Sequence, residues 1–201
     1  MPQAQNKYRY DVKNCYYCPG TRNADGTVTF DTSRIRQEPG LMSIDMQAQG
    51  EISKTRADGI DYIIIASNNG YNGTLNFVKI SDEFRRDCLA ETADITTGIQ
   101  YEDADATPDP FALMGEFKGD QEGIRWIYYN CTASRPNQAG DNKDNMREPD
   151  TESISVQASP LPVTIDGTEK NIVRGGVTKS SNAATYNQWF TKVCLPGVSN
   201  A

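Results

Sequence analysis

Apolar and polar side chains alternate with a period of two along most of this chain. Tyr8-Arg9-Tyr10-Asp11-Val12-Lys13-Asn14 sets aromatic or aliphatic residues against polar ones, the pattern of a half-buried strand. Ala24-Asp25-Gly26 predicts a turn, and Thr27-Val28-Thr29-Phe30 a short strand after it. Tyr62-Ile63-Ile64-Ile65 is apolar on both faces, which predicts a central strand, and Gly73 to Ile80 predicts a returning one with Leu75 and Phe77 on one face. Phe111–Phe117 and Ile124–Thr132 predict a hairpin across the turn-rich Lys118 to Gly123. Glu152-Ser153-Ile154-Ser155-Val156-Gln157-Ala158 is a clean alternator, ended by Pro160 and Pro162.

Two segments carry a helical period instead. Ser81 is an N-cap residue followed by Asp82 and Glu83, then by Arg85 and Arg86, in the order that a helix dipole favours. Phe84 and Cys88 fall at i, i+4, so the spacing predicts a short amphipathic helix. Phe84, Cys88 and Leu89 pack on the sheet, and the Arg85/Arg86 side is wet. Near the end, Tyr186, Trp189, Phe190 and Val193 fall at i, i+3, i+4, i+7 and predict a second short helix before Pro196. Gln47–Gly59 and 137–149 are polar and without period, and predict two long loops. The first interrupts two runs that otherwise match as a strand pair, Leu41–Met46 and Gly59–Ala66.

The length of 201 residues predicts a single domain, residues 1–201, large enough for a hydrophobic core without disulfide staples. Composition narrows the chemistry. There is no histidine, so Ser-His-Asp and Cys-His nucleophile systems, paired-histidine metal sites and imidazole switches are all excluded. The net charge of −7 argues against gripping a nucleic-acid backbone, where Lys and Arg must replace counterions. No run approaches the roughly 20 apolar residues of a membrane helix, and the polar N-terminus has no apolar signal region, so a soluble protein made in a cytoplasm is expected.

The five cysteines are odd in number and irregularly spaced, and are expected as reduced thiols. Cys15-Tyr16-Tyr17-Cys18 has the C-x-x-C spacing. A redox dithiol needs a helix after it, where Pro19-Gly20 stands instead, and a zinc site needs two further ligands; structural thiols are the simpler reading, and no metal, cofactor or catalytic residue is assigned. Asp103-Ala104-Asp105-Ala106-Thr107-Pro108-Asp109 begins like a calcium loop, but Pro108 stands where the turn glycine belongs and Met114 where the bidentate glutamate belongs. There is no phosphate-cradling glycine motif. Paired carboxylates could still serve glycoside hydrolysis, which spacing alone does not test.

An ordered series of segments resembles the major tail protein, or tail tube protein, of long-tailed phages and prophages of Gram-positive bacteria. It runs through Ala57-Asp58-Gly59, Ser67 to Leu75, Asp82 to Leu89, Pro110 to Met114, Tyr129 to Pro136, Thr151 to Val156 and Trp189-Phe190, over about residues 8–195. The resemblance implies a β-sandwich or small barrel with one flanking helix and long loops. Six copies would form a ring, and rings would stack into a hollow conduit for DNA in the virion tail, assembled in the host cytoplasm. It implies no enzyme activity and no cofactor. The implied partners are further copies of the chain, the tape-measure, tail terminator and baseplate or tip proteins, and DNA that passes without specific binding; no membrane is involved. The long loop of such proteins bridges rings, which makes Glu51, Ile52, Lys54, Arg56 and Asp58 the expected inter-ring contact. Six copies carry six times −7, or −42, and a lumen of that sign repels DNA. The alternatives are the inner tube of a contractile injection system, a monomeric β-sandwich carbohydrate-binding module and a glycoside hydrolase.

Overall fold

The computed structural model describes residues 10–119, 123–138, 140 and 150–197. The chain is mainly β. In order, its strands are β1 (Tyr10–Arg22), β2 (Val28–Phe30), β3 (Arg36–Gln37), β4 (Leu41–Gln49), β5 (Ile52–Ala57), β6 (Ile60–Ala66) and β7 (Gly70–Phe77). Helix α1 (Asp82–Cys88) follows, then β8 (Glu91–Ala93), β9 (Gln100–Glu102), β10 (Phe111–Lys118), β11 (Arg125–Ala133), β12 (Glu152–Ala158), β13 (Leu161–Ile165), β14 (Thr168–Ile172), β15 (Arg174–Val177) and α2 (Ala183–Gln188).

One sheet organises the molecule, in the order β2-β1-β10-β11-β12-β7-β4, with β3 on β1 and β15 on β11. All of its pairs are antiparallel. The sheet curls until β4 touches β1 without pairing to it. Bulges in β1, β11 and β4 supply the bend.

The central strands are buried on both faces, and the two-residue period divides their side chains between two cores. Tyr17, Phe111, Leu113, Trp126 and Tyr128 enter the inner core with Leu75, Phe77, Ile154, Val156 and the helix residues Phe84, Cys88 and Leu89. Their neighbours Cys18, Ala112, Met114, Ile127 and Tyr129 enter the outer core with Leu161, Trp189 and Cys194. Helix α1 begins as its sequence predicts: the Ser81 hydroxyl accepts from the Phe84 amide, and Phe84 and Cys88 are buried. Arg85 departs from the expected wet side. It is drawn inward to bridge Glu91 (3.2 Å) and Glu152 (2.9 Å), while Arg86 stays outside beside Glu83.

The outer core is closed by the C-terminal segment. The second helix starts earlier than its apolar spacing predicts and ends at Gln188, because Asn182 caps it and Trp189 and Phe190 turn inward. Trp189 donates its indole N–H to the Trp126 carbonyl (3.3 Å), and the Arg125 guanidinium lies 3.9 Å from the Tyr186 ring centre and 4.6 Å from that of Phe190.

The C-x-x-C resolves by the same period. β1 runs straight through Pro19 and Gly20, so Cys15 and Cys18, three apart on one strand, point to opposite faces and into different cores. Residues at i and i+3 of a strand never share a face, so the two thiols form no joint site. All five cysteines are free and buried. No described helix is long and apolar enough to cross a membrane.

Candidate functional site

The segment Gln47–Gly59 is a strand rather than the polar loop expected from its composition. β4 continues to Gln49, Gly50 breaks the ladder, and β5 resumes at Ile52. The strand pairing expected between Leu41–Met46 and Gly59–Ala66 is replaced by two others: β4 pairs β7, from Leu41↔Phe77 to Gln49↔Gly70, and β5 pairs β6, from Ile52↔Ala66 to Ala57↔Ile60. The result is one long ribbon whose lower half belongs to the sheet and whose upper half leaves it as an arm.

Local chemistry accounts for both ends of that arm. At the tip, Asp58 (φ 52°) and Gly59 (φ 81°) both have positive φ, the two-residue turn that Asp-Gly favours. At the root, the Ser67 amide donates to the Glu51 carbonyl (2.9 Å) and the Asn69 amide to the Gln49 carbonyl (2.7 Å), so the ribbon is continuous. Gly70 lies at φ 102°, and a Cβ there would come within 2.1 Å of the Ala158 carbonyl oxygen; only glycine passes the ribbon so closely over β12.

Tyr62–Ile65, expected as a buried central strand, lies wholly in solvent. The cross-strand pairs place Ile52, Lys54, Ile64 and Ala66 on one face and Ser53, Thr55, Ile63 and Ile65 on the other. Ile52 and Ile64 are 67% and 59% exposed; Ile63 and Ile65 are 47% and 61%. Both faces therefore bare isoleucine. β5 and β6 pair only with each other among the described residues, so both edges also offer backbone groups. Glu51 sits at the root and Asp58 at the tip. Lys54 and Arg56 share the carboxylate of Asp61, at 3.3 and 3.4 Å, and Arg56 also donates to the Gly59 carbonyl. The expected contact residues Glu51, Ile52, Lys54, Arg56 and Asp58 thus lie on one arm, and the larger apolar part of it, Ile60 and Tyr62–Ile65, comes from the strand that sequence reading placed inside. The Asp58-Gly59 turn signal, with Lys54 opposite Ile64 and Arg56 opposite Asp61, was the available clue.

Phe84, Cys88 and Leu89 are far from this arm, each 1% exposed or less. Phe84 meets Tyr17 and Phe111 edge to face. Residues 139 and 141–149 of the second expected loop lie outside the described residues; Asn137 and Gln138 are exposed.

A cleft lined by Asp82, Arg85, Glu91, Glu102 and Glu152 lies beside α1. Its two inner carboxylates, Glu91 and Glu152, both accept from Arg85, and Glu152 also accepts from the Ile80 amide (2.8 Å). They are occupied in joining α1 to β8 and β12. No family model matches the chain, and no curated protein matches it.

Proposed function

We propose that this chain is the structural protomer of a phage tail tube, whose hexameric rings stack into a conduit for DNA. The observation that carries this reading is the β5–β6 arm. A chain that closes two cores inside itself nevertheless spends an isoleucine-rich hairpin on solvent, with apolar side chains on both faces. Exposed patches of this kind, on an edge-bearing ribbon, mark an interaction surface. A curled sheet with a flanking helix and a protruding hairpin fits the architecture that the tail-tube resemblance implies, and further copies of the chain are the natural cover for the arm. The acidic charge of −7 fits a conduit whose wall must not bind its cargo. The protomer would assemble in the bacterial cytoplasm and function in the virion tail, with tape-measure, terminator and baseplate or tip proteins as neighbours at the tube ends.

The test is negative-stain imaging and size-exclusion mass of the purified chain across a concentration series. Rings or tubes with a central hole are expected. A monomer at every concentration up to the solubility limit would overturn the reading.

A further inference from the structure

The inner core opens to the surface where the last strand of the curled sheet, β4, faces β10 and β11. A cleft of about 290 Å³ lies there. Ile44 and Met46, both half-buried, line it from β4; Phe117, Trp126 and Tyr128 line it from β10 and β11, and Arg174 from β15. Asp45 sits between the two β4 residues, but strand alternation turns its carboxylate to the opposite face, 3.5 Å from the Gln47 amide nitrogen. The volume is close to the lower limit of small-molecule sites, about 300 Å³, and equals that of roughly ten waters.

The aromatic wall of this cleft is fixed by its own neighbours. The Trp126 ring lies against Gly115, where a Cβ would come within 2.4 Å of its Cζ2. Phe117 and Tyr128 flank it at 6.0 and 5.9 Å, and Tyr71 meets Tyr128 edge to face at 5.3 Å. A wall ordered in this way needs no rearrangement to receive a ligand. Two polar groups in it lack partners. Trp126 is 7% exposed, and its buried indole N–H has no acceptor among the described residues. Arg174 stands directly opposite Tyr128, so its side chain leaves the sheet on the same face. It lies 5.7 Å from the Tyr71 ring centre, and no carboxylate pairs with it among the described residues. Arg85 and Arg125, by contrast, both hold glutamates.

We propose that this cleft binds a small carboxylic acid with a compact apolar body, such as a single ring on a short chain. The body fills the space between Ile44 and Met46 and the Phe117–Trp126 wall, and the carboxylate pairs with Arg174 at the rim. A carboxylate suits both unmet groups: its two oxygens match the guanidinium fork, and its remaining lone pairs supply the acceptor that the indole lacks. The bound acid joins β4 to β11. Because β4 pairs with β7 alone among the described residues and only touches β1, the ligand stabilises the closure of the sheet. This site goes beyond the tube reading and does not rest on it.

The probe is 3-phenylpropionate, with its uncharged amide as the control. Titration followed by tryptophan fluorescence and by saturation-transfer NMR should show saturable binding of the acid, with a Kd of about 1 mM or tighter. The melting temperature should rise at saturation. The amide should bind at least about tenfold more weakly, and so should the acid to Arg174→Gln, a change at an exposed position. Met46→Trp, which fills the cleft, should abolish binding. Ile64→Ser with Ile65→Ser, on the exposed arm, should leave it unchanged. The amide and Arg174→Gln decide the question even if Met46→Trp fails to fold. The site is overturned if acid and amide bind alike, if Arg174→Gln or a folded Met46→Trp binds as the wild type does, if the arm variant loses binding, or if the acid shows no saturation below about 10 mM. None of these outcomes alters whether rings or tubes form, so the two readings fail separately.

Discussion

Phe84→Ala should destabilise this protein more than any change on its surface. The Phe84 ring is 1% exposed and is the main apolar anchor of a helix only seven residues long. It meets Tyr17 edge to face at 5.0 Å and Phe111 at 5.4 Å, so truncation removes two aromatic contacts as well as buried area. Burying such a ring in a rigid core and then deleting it costs about 3–5 kcal/mol, and the two edge-to-face contacts place this site in the upper half of that range. A short helix cannot shift to fill the hole, because Ser81 fixes its start, through Glu38, and Arg85 fixes its side. For a chain of this size, about 4 kcal/mol lowers the melting temperature by roughly 8–16 °C. Circular dichroism melts of wild type, Phe84→Ala and Phe84→Leu will measure it, with the leucine variant recovering about half of the loss. A fall of less than about 3 °C in the alanine variant would mean that α1 does not carry the contact assigned to it.

Burial raises all five thiols, with Cys15 and Cys18 pushed up to about 12 and Cys88, Cys131 and Cys194 also raised. The folded protein should therefore resist a thiol reagent at pH 8, and all five cysteines should react once it is denatured. Glu38 is 2% exposed, and burial raises its carboxyl against the lowering effect of its bonds from the Ser81 hydroxyl (2.5 Å) and amide (2.7 Å). The folded state then holds that proton more tightly than the unfolded chain, so the contribution of Glu38 to stability falls as pH rises from the ordinary carboxylate range through the raised folded value. The stability advantage of wild type over Glu38→Gln, read from urea midpoints from pH 4 to 7, should shrink as pH rises; the comparison cancels the opposite slope of carboxyls that the fold holds low, such as Glu116. Assembled tubes should leave duplex DNA unretarded in a gel shift at about 100 mM salt; tight, salt-sensitive retention would contradict a repelling lumen.

The sequence by itself determined the class of the fold and much of its interior. Period-two alternation located β12 and the Leu75/Phe77 face of β7, the turn-rich Lys118 to Gly123 between two apolar runs located the β10–β11 hairpin, and the Ser81 cap with Phe84 and Cys88 located α1, because pleat geometry, turns and helix capping are local and act through neighbouring residues. The opposite faces of Cys15 and Cys18 were implicit in their spacing once that segment was known to be strand. Tertiary structure alone decided the rest. Tyr62–Ile65 and Ile127–Tyr129 are both short apolar runs, yet the first stands in solvent and the second lies at the centre of the sheet. Periodicity reports that a strand has apolar faces; it carries no information about which surface covers them, since that depends on contacts distant in the chain or on another molecule. The same limit hid the display of Ile95 and Ile99 between β8 and β9, where they sit within a polar turn sequence and only the hydrogen-bonded frame around Asp94 reveals how fully they are exposed.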